Sequence, residues 1–239
     1  MRFRSAALTD IGKIREENED RYLRDDELGL FAVADGIGGL PGGAQAAEEA
    51  IMQLHAQAQR LPGESHWDFT SLIAMVNQQV IRRGETIDSA YGIGTTLTVA
   101  RLCDSGVHVA HVGDSGCYLW RAGVFEKLTH DHTLENELKA RHGHAAIAFL
   151  NARSRNALTR CVGQPTAPEV DVILRPLHAG DRLLLCSDGV TRFMREEEIG
   201  RTVGTAPEPA TGLAQMIDLV SDRGGYDNAT GVLIFVDAV

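Results

Sequence analysis

The chain has 239 residues, 44% of them hydrophobic, and a net charge of −10 from 33 acidic against 23 basic side chains. Its length and apolar content suit one globular domain over 1–239, and no Pro/Ser/Gly-rich linker divides it. The balance excludes the broad basic footprint of a nucleic-acid binder, no stretch reaches the roughly 18 apolar residues of a membrane span, and Met1-Arg2-Phe3-Arg4-Ser5 has no signal-peptide core.

In chain order, the first strong signal is the apolar run 28–34, which reads as a strand buried on both faces. A glycine-rich loop follows. A helix is then expected over 44–59, where Ala47, Ile51, Leu54 and Ala58 fall on one face. A second is expected over 67–82 from Phe69, Leu72, Val76 and Val80, with Ser65 and Asp68 as a capping pair. Residues 95–127 read as three or four antiparallel strands, with turns at Asp104-Ser105-Gly106 and Arg121-Ala122-Gly123. From about 129 to 160 the pattern loosens into a flap with short helical patches at 134–140 and 145–150. Run 182–186 is another buried strand, 190–198 reads as a helix, and Leu213, Met216, Ile217 and Val220 form a helical stripe. Run 232–236 closes the series as a strand. Helices at both ends around a β-rich middle predict an α+β fold: two stacked, mainly antiparallel β-sheets flanked by helices on both sides. The four cysteines lie far apart without CxxC pairing, which fits free thiols in a cytoplasmic protein.

Four aspartates share a local setting. Asp35 ends the run Phe31-Ala32-Val33-Ala34, Asp114 follows Val109-Ala110-His111-Val112-Gly113, and Asp188 follows Leu183-Leu184-Leu185-Cys186-Ser187. Asp227 stands just before the last strand. Asp-Gly ordinarily marks a hairpin turn, but neither Gly36 nor Gly189 is followed by a matching strand. If the strand ends share one edge of the sandwich, the carboxylates converge there. Such hard oxygen donors suit Mg²⁺ or Mn²⁺. Histidine-rich sites would point to zinc; the candidates His130/His132 and His142/His144 read as solvated residues of the flap. Near the N-terminus, the mixed-charge stretch 15–20 reads either as a solvated loop or as part of the site, in which case Glu19 and Asp20 add carboxylates and Arg15 offers a planar fork of donors to a phosphate. The loop Gly36-Ile37-Gly38-Gly39-Leu40-Pro41-Gly42-Gly43 is a poor dinucleotide loop, because Pro41 takes the third-glycine position and Asp35 would repel a pyrophosphate.

The ordered motifs resemble the PPM/PP2C family of metal-dependent protein phosphatases, in its compact bacterial form. They run from Asp10-Ile11-Gly12, Arg15 and Asn18-Glu19-Asp20 through Val33-Ala34-Asp35-Gly36-Ile37-Gly38-Gly39, Gly94-Thr95-Thr96-Leu97 and Val112-Gly113-Asp114-Ser115. Leu128-Thr129-His130-Asp131-His132, Leu158-Thr159-Arg160, Cys186-Ser187-Asp188-Gly189-Val190 and Asp227-Asn228-Ala229-Thr230 complete them. The resemblance implies hydrolysis of phosphoserine and phosphothreonine in proteins by a metal-bridged hydroxide, opposing a bacterial serine/threonine kinase. By motif, Asp35 and Arg15 are catalytic, as is Asp20, which orients metal-bound water. Asp35 bridges two ions with the Gly36 carbonyl on one of them, Asp188 and Asp227 hold one ion, and Glu19 acts on the second through water. Asp114 with Asp20 holds the third ion of bacterial members. Ile37 stands where eukaryotic members carry a histidine acid, leaving metal-bound water, or else His142 or His144, for that role. The resemblance also implies phosphoprotein substrates and a monomer, and suggests a type VI secretion kinase as partner. A catalytically silent phosphoprotein-binding module of the same fold is the alternative.

Overall fold

The computed structural model describes residues 1–38, 42–61, 67–88, 90, 92–148 and 150–239, without the side chains of 152 and 153. Its strands are β1 (Arg2–Asp10), β2 (Asp20–Asp25), β3 (Leu30–Asp35), β4 (Leu97–Cys103), β5 (Gly106–Val112), β6 (Gly116–Arg121), β7 (Val124–Lys127), β8 (Asp171–Arg175), β9 (Arg182–Cys186) and β10 (Ala229–Ala238). The α-helices are α1 (Gly43–Ala58), α2 (Phe69–Ile87), α3 (Leu134–His142), α4 (Ala152–Arg155), α5 (Asp188–Thr191), α6 (Glu196–Thr205) and α7 (Pro209–Asp222). One sheet has the order β1-β10-β9-β6-β7 and the other β2-β3-β4-β5-β8, with antiparallel neighbours throughout. The two stacked sheets flanked by helices are the architecture expected from the sequence.

The apolar runs are continuous because their strands bury both faces. In β9, Leu183 and Leu185 point between the sheets with Phe31, Val33, Val232 and Ile234. Leu184 and Cys186 point outward, onto Ile199, Val203, Leu213 and Met216 of α6 and α7. On the other sheet, Ala32 and Ala34 of β3 meet Ala46, Ala47 and Ala50 of α1. Truncating a fully buried leucine such as Leu184 to alanine should cost about 2–5 kcal/mol.

The block 95–127 holds four strands, but they do not form one meander. β4–β5 and β6–β7 are hairpins in different sheets, and Gly113-Asp114-Ser115 carries the chain across. Gly113 has a φ of 114°, and a Cβ there would press on Thr96. The helix expected over 190–198 is broken into α5 and α6. Glu198 accepts a 3.0 Å hydrogen bond from the Arg195 backbone N–H, so a new helix starts at Glu196. Asp68 caps α2 through Ser71, while its expected partner Ser65 lies outside the described residues, as do Gly39, Leu40 and Pro41 of the glycine loop. The expected flap helices correspond to α3 and to a 3₁₀ turn over His144–Ile147. Among the described residues no helix is long and apolar enough to cross a membrane.

Candidate active site

Antiparallel pairing brings the chosen acids to one edge. Asp20, at the start of β2, is the register partner of Asp35, at the end of β3. Asp114 follows β5, Asp188 follows β9, and Asp227 precedes β10, whose Gly231 pairs with Cys186 of β9. Each strand that ends at this edge lies beside one that begins there. The sheets are joined at the same place, because Ser187 Oγ donates to Asp20 Oδ2 at 2.7 Å and accepts from Thr230 N at 3.0 Å.

A cleft of about 770 Å³ opens over this edge, a size suited to a small ligand or a side chain. Arg15, Glu19, Asp35, Gly36, Asp114, Asp188 and Asp227 line it. Asp20 does not; it lies beneath, 2% exposed, on Ser187. Neither His142 nor His144 lines the cleft. His132, expected to be solvated, is buried: its Nδ1 accepts from Gly113 N at 3.1 Å and its Nε2 faces Asp171 at 3.2 Å. The His132 backbone N–H in turn donates to the Gly113 carbonyl at 2.8 Å. This double clamp fixes the turn that presents Asp114.

Small residues set the backbone around Asp35. Its N–H donates to Thr96 Oγ1 at 3.0 Å, and its carbonyl accepts from Thr95 Oγ1 and Thr96 N, each at 2.9 Å. A Cβ on Gly36 would collide with the Gly43 backbone, and one on Gly43 would collide with the Glu19 carboxylate. The glycines therefore let the start of α1 close onto Glu19. Asn228 ties the N-terminal arm to β10: its Oδ1 accepts from Glu19 N at 2.8 Å and its Nδ2 donates to the Ile11 carbonyl at 2.8 Å.

The electrostatics divide into a floor and a rim. Burial, then the charges of Asp20 and Asp188, push the Asp35 carboxyl well above the usual range. Burial raises Asp20 to about 6 despite the Ser187 hydrogen bond. Burial and Asp188 raise Asp114 to about 7. Burial also raises Asp188, against the opposing pull of Arg192, and Glu19, against Arg15. At the rim, Arg15 Nη2 lies 2.7 Å from Asp227 Oδ1, and its Nη1 is 3.7 Å from Glu19. Arg192 pairs with Asp188 and reaches Asp227 Oδ2 at 2.9 Å.

Arg192, Ser187 and Thr96 were not singled out from the sequence as site residues. Arg192 carried a usable signal, since it lies one helical turn after Asp188. Ser187 and Thr96 carried none beyond their place in the motifs, because their role is to hold backbone and carboxylates across the two sheets.

A family model for protein phosphatase 2C matches residues 15–218. The serine/threonine phosphatase stp of Listeria innocua serovar 6a is 34% identical over 237 residues, covering 95% of this chain and 93% of its own. This chain belongs to the protein phosphatase 2C family. Solved structures agree with that placement. The catalytic domain of the serine/threonine protein phosphatase PstP, in complex with two manganese ions, superposes with a TM-score of 0.83 at 30% identity, covering 98% of this chain and 99% of that one. PppA, described as a key regulatory component of T6SS in Pseudomonas aeruginosa, superposes with a TM-score of 0.84 at 27% identity, covering 98% and 97%.

Protein phosphatase 2C enzymes are metal-dependent. Among the described residues, no three His, Cys, Asp or Glu side chains are already gathered as ligands of one ion. Arg15 and Arg192 draw Asp227 and Asp188 onto their guanidinium groups instead. The donor chemistry nevertheless fits a hard divalent cation: every candidate side chain is a carboxylate, and burial leaves the floor short of positive charge.

Proposed function

We infer that this protein is a serine/threonine phosphatase that hydrolyses phosphoserine and phosphothreonine in protein substrates. The observation that carries the reading is the convergence of Glu19, Asp35, Asp114, Asp188 and Asp227 on one cleft beside Arg15. Names of relatives support it, including the Listeria innocua serine/threonine phosphatase matched over 95% of this chain. A silent phosphoprotein-binding module is not favoured, since every acid that the motifs require is present.

Asp35 with the Gly36 carbonyl, Asp188 and Asp227 would hold the two core ions, Mn²⁺ or Mg²⁺, with Glu19 acting through water and Asp114 and Asp20 serving a third. When bound, these ions would activate water and neutralise the phosphoryl oxygens. The chain's own groups prepare the site. Ser187 holds the Asp20 carboxylate in place beneath the cleft, and the Thr95–Thr96 contacts fix the Asp35 backbone. Arg15 is 38% exposed at the rim, so its fork can turn from Asp227 to a substrate phosphate. The whole of 1–239 acts as one domain in this reading, with 129–160 as a flap whose residues Asn156, Ala157 and Leu158 form one wall of the cleft.

Hydrolysis of a phosphothreonine peptide with Mn²⁺ and with EDTA tests the function. Turnover that EDTA abolishes is expected; folded protein with no metal-dependent turnover would refute it. The reaction would oppose a cytoplasmic serine/threonine kinase. The likeness to PppA favours one in a T6SS, and phosphoproteomics of a deletion strain should then show a secretion component gaining phosphate.

A further inference from the structure

Arg192 is a cleft residue that the metal-dependent reaction does not account for. It stands one turn after Asp188, its backbone N–H donating to the Asp188 carbonyl at 2.8 Å. Its side chain spans two elements: Nη2 pairs with Asp188 Oδ2, and Nη1 lies 2.9 Å from Asp227 Oδ2. The other Asp227 oxygen, Oδ1, is taken by Arg15 Nη2 at 2.7 Å. The guanidinium thus bridges the two carboxylates that would share one ion, and it does so through an oxygen of each. A dication on those same oxygens would face a full positive charge at contact distance, an arrangement that Coulomb repulsion disfavours. The two occupants exclude one another. Arg192 has somewhere to go, because its side chain is 42% exposed and faces the open cleft.

We propose that Arg192 is a built-in competitor for the metal: its guanidinium holds Asp188 and Asp227 together until a divalent cation takes both carboxylates and displaces it. The proposal rests on the metal-site reading above. Two consequences follow from the exchange. Metal affinity at this pair is lower than the carboxylates alone would give, by the fraction of molecules in which the bridge is open. The metal-free protein, in return, keeps α5 tied to the segment before β10 instead of leaving two neighbouring like charges to repel.

Calorimetric titration of Mn²⁺ into the wild type, Arg192→Met and Arg192→Lys, with melting curves in EDTA, tests this. In Arg192→Met at least one binding step should tighten, by roughly 5–50-fold, while the melting temperature falls in EDTA and matches the wild type in saturating Mn²⁺. Arg192→Lys keeps the charge but not the planar fork that spans two carboxylates, so its affinity should lie near that of Arg192→Met. Unchanged or weaker Mn²⁺ binding in Arg192→Met would overturn the proposal. So would an Arg192→Lys affinity equal to wild type, since simple repulsion by a nearby charge would then suffice. If wild type, Met and Lys variants all stay folded and none takes up Mn²⁺, the metal-site reading fails and the competitor falls with it.

Discussion

The floor and the rim of the cleft hold the same kind of residue under opposite conditions. On the floor, burial shields Asp20, on the Ser187 hydroxyl, and Asp35, whose backbone is held by Thr95 and Thr96, and among the described residues neither carboxylate has a cation in contact. At the rim, Asp227 lies between two guanidinium groups. The floor is therefore held against its electrostatics by strand register and packing, whereas the rim is held by them. Function needs the first kind: carboxylates kept close without neutralisation are what a divalent cation can bind strongly. Stability alone would select the second.

The sharpest way to break this contrast is Asp35→Asn. Activity should fall on the order of 10²–10³-fold, while the melting curve in EDTA rises, equivalent to about 0.5–2 kcal/mol, because a buried charge without a counter-ion is gone. A variant that loses both activity and metal-free stability would place Asp35 with the rim rather than the floor.

Metal removal has a pH signature of defined sign. Asp20 and Asp114 have folded-state values raised to about 6 and about 7 from an ordinary 3.8. Their contribution to stability is complete below the unfolded value and is lost as pH rises through the folded one. In EDTA, urea denaturation should therefore show stability falling from about pH 4 to about pH 7, and Mn²⁺ should restore most at the upper end. A gain from Mn²⁺ that is flat across this window would count against floor acids as the metal site.

Ser187→Ala removes the hydroxyl shared by Asp20 and Thr230, and should cost about 1–3 kcal/mol of stability with a several-fold loss in kcat. The smallest structural effect belongs to the rim: Arg15→Ala should change stability by less than about 1 kcal/mol, since exposed ion pairs contribute little. Its effect should appear in kcat/KM, and a variant that unfolds readily but keeps its kcat/KM would reverse the assignment of Arg15 to phosphate.

Much of this molecule was legible because its central strands are buried on both faces. β3, β9 and β10 read as apolar runs, and Asp35, Asp114, Asp188 and Asp227 each punctuate such a run or precede one. The strands that sequence patterning passed over, β1, β2 and β8, are all sheet edges. Their exposed positions, such as Tyr22, Val172 and Leu174, blur the alternation by which a strand is recognised. The break between α5 and α6 was missed for a different reason. It depends on Glu198 capping the Arg195 N–H, a local bond that competes with one continuous helix.

Local pattern along the chain set the inventory: which carboxylates stand at strand ends, the layered α+β architecture, and the ordered motifs that mark a protein phosphatase 2C. How those acids are partnered came from long-range pairing and packing. Register paired Asp20 with Asp35, the crossing at Gly113 carried Asp114 to the same edge, and packing put Ser187 under one acid and Arg192 across two others. Periodicity in a chain reports which face of an element is buried, but the partner of a given carboxylate comes from far along the chain, as Arg15 does for Asp227 and Ser187 for Asp20. No local pattern encodes that distance.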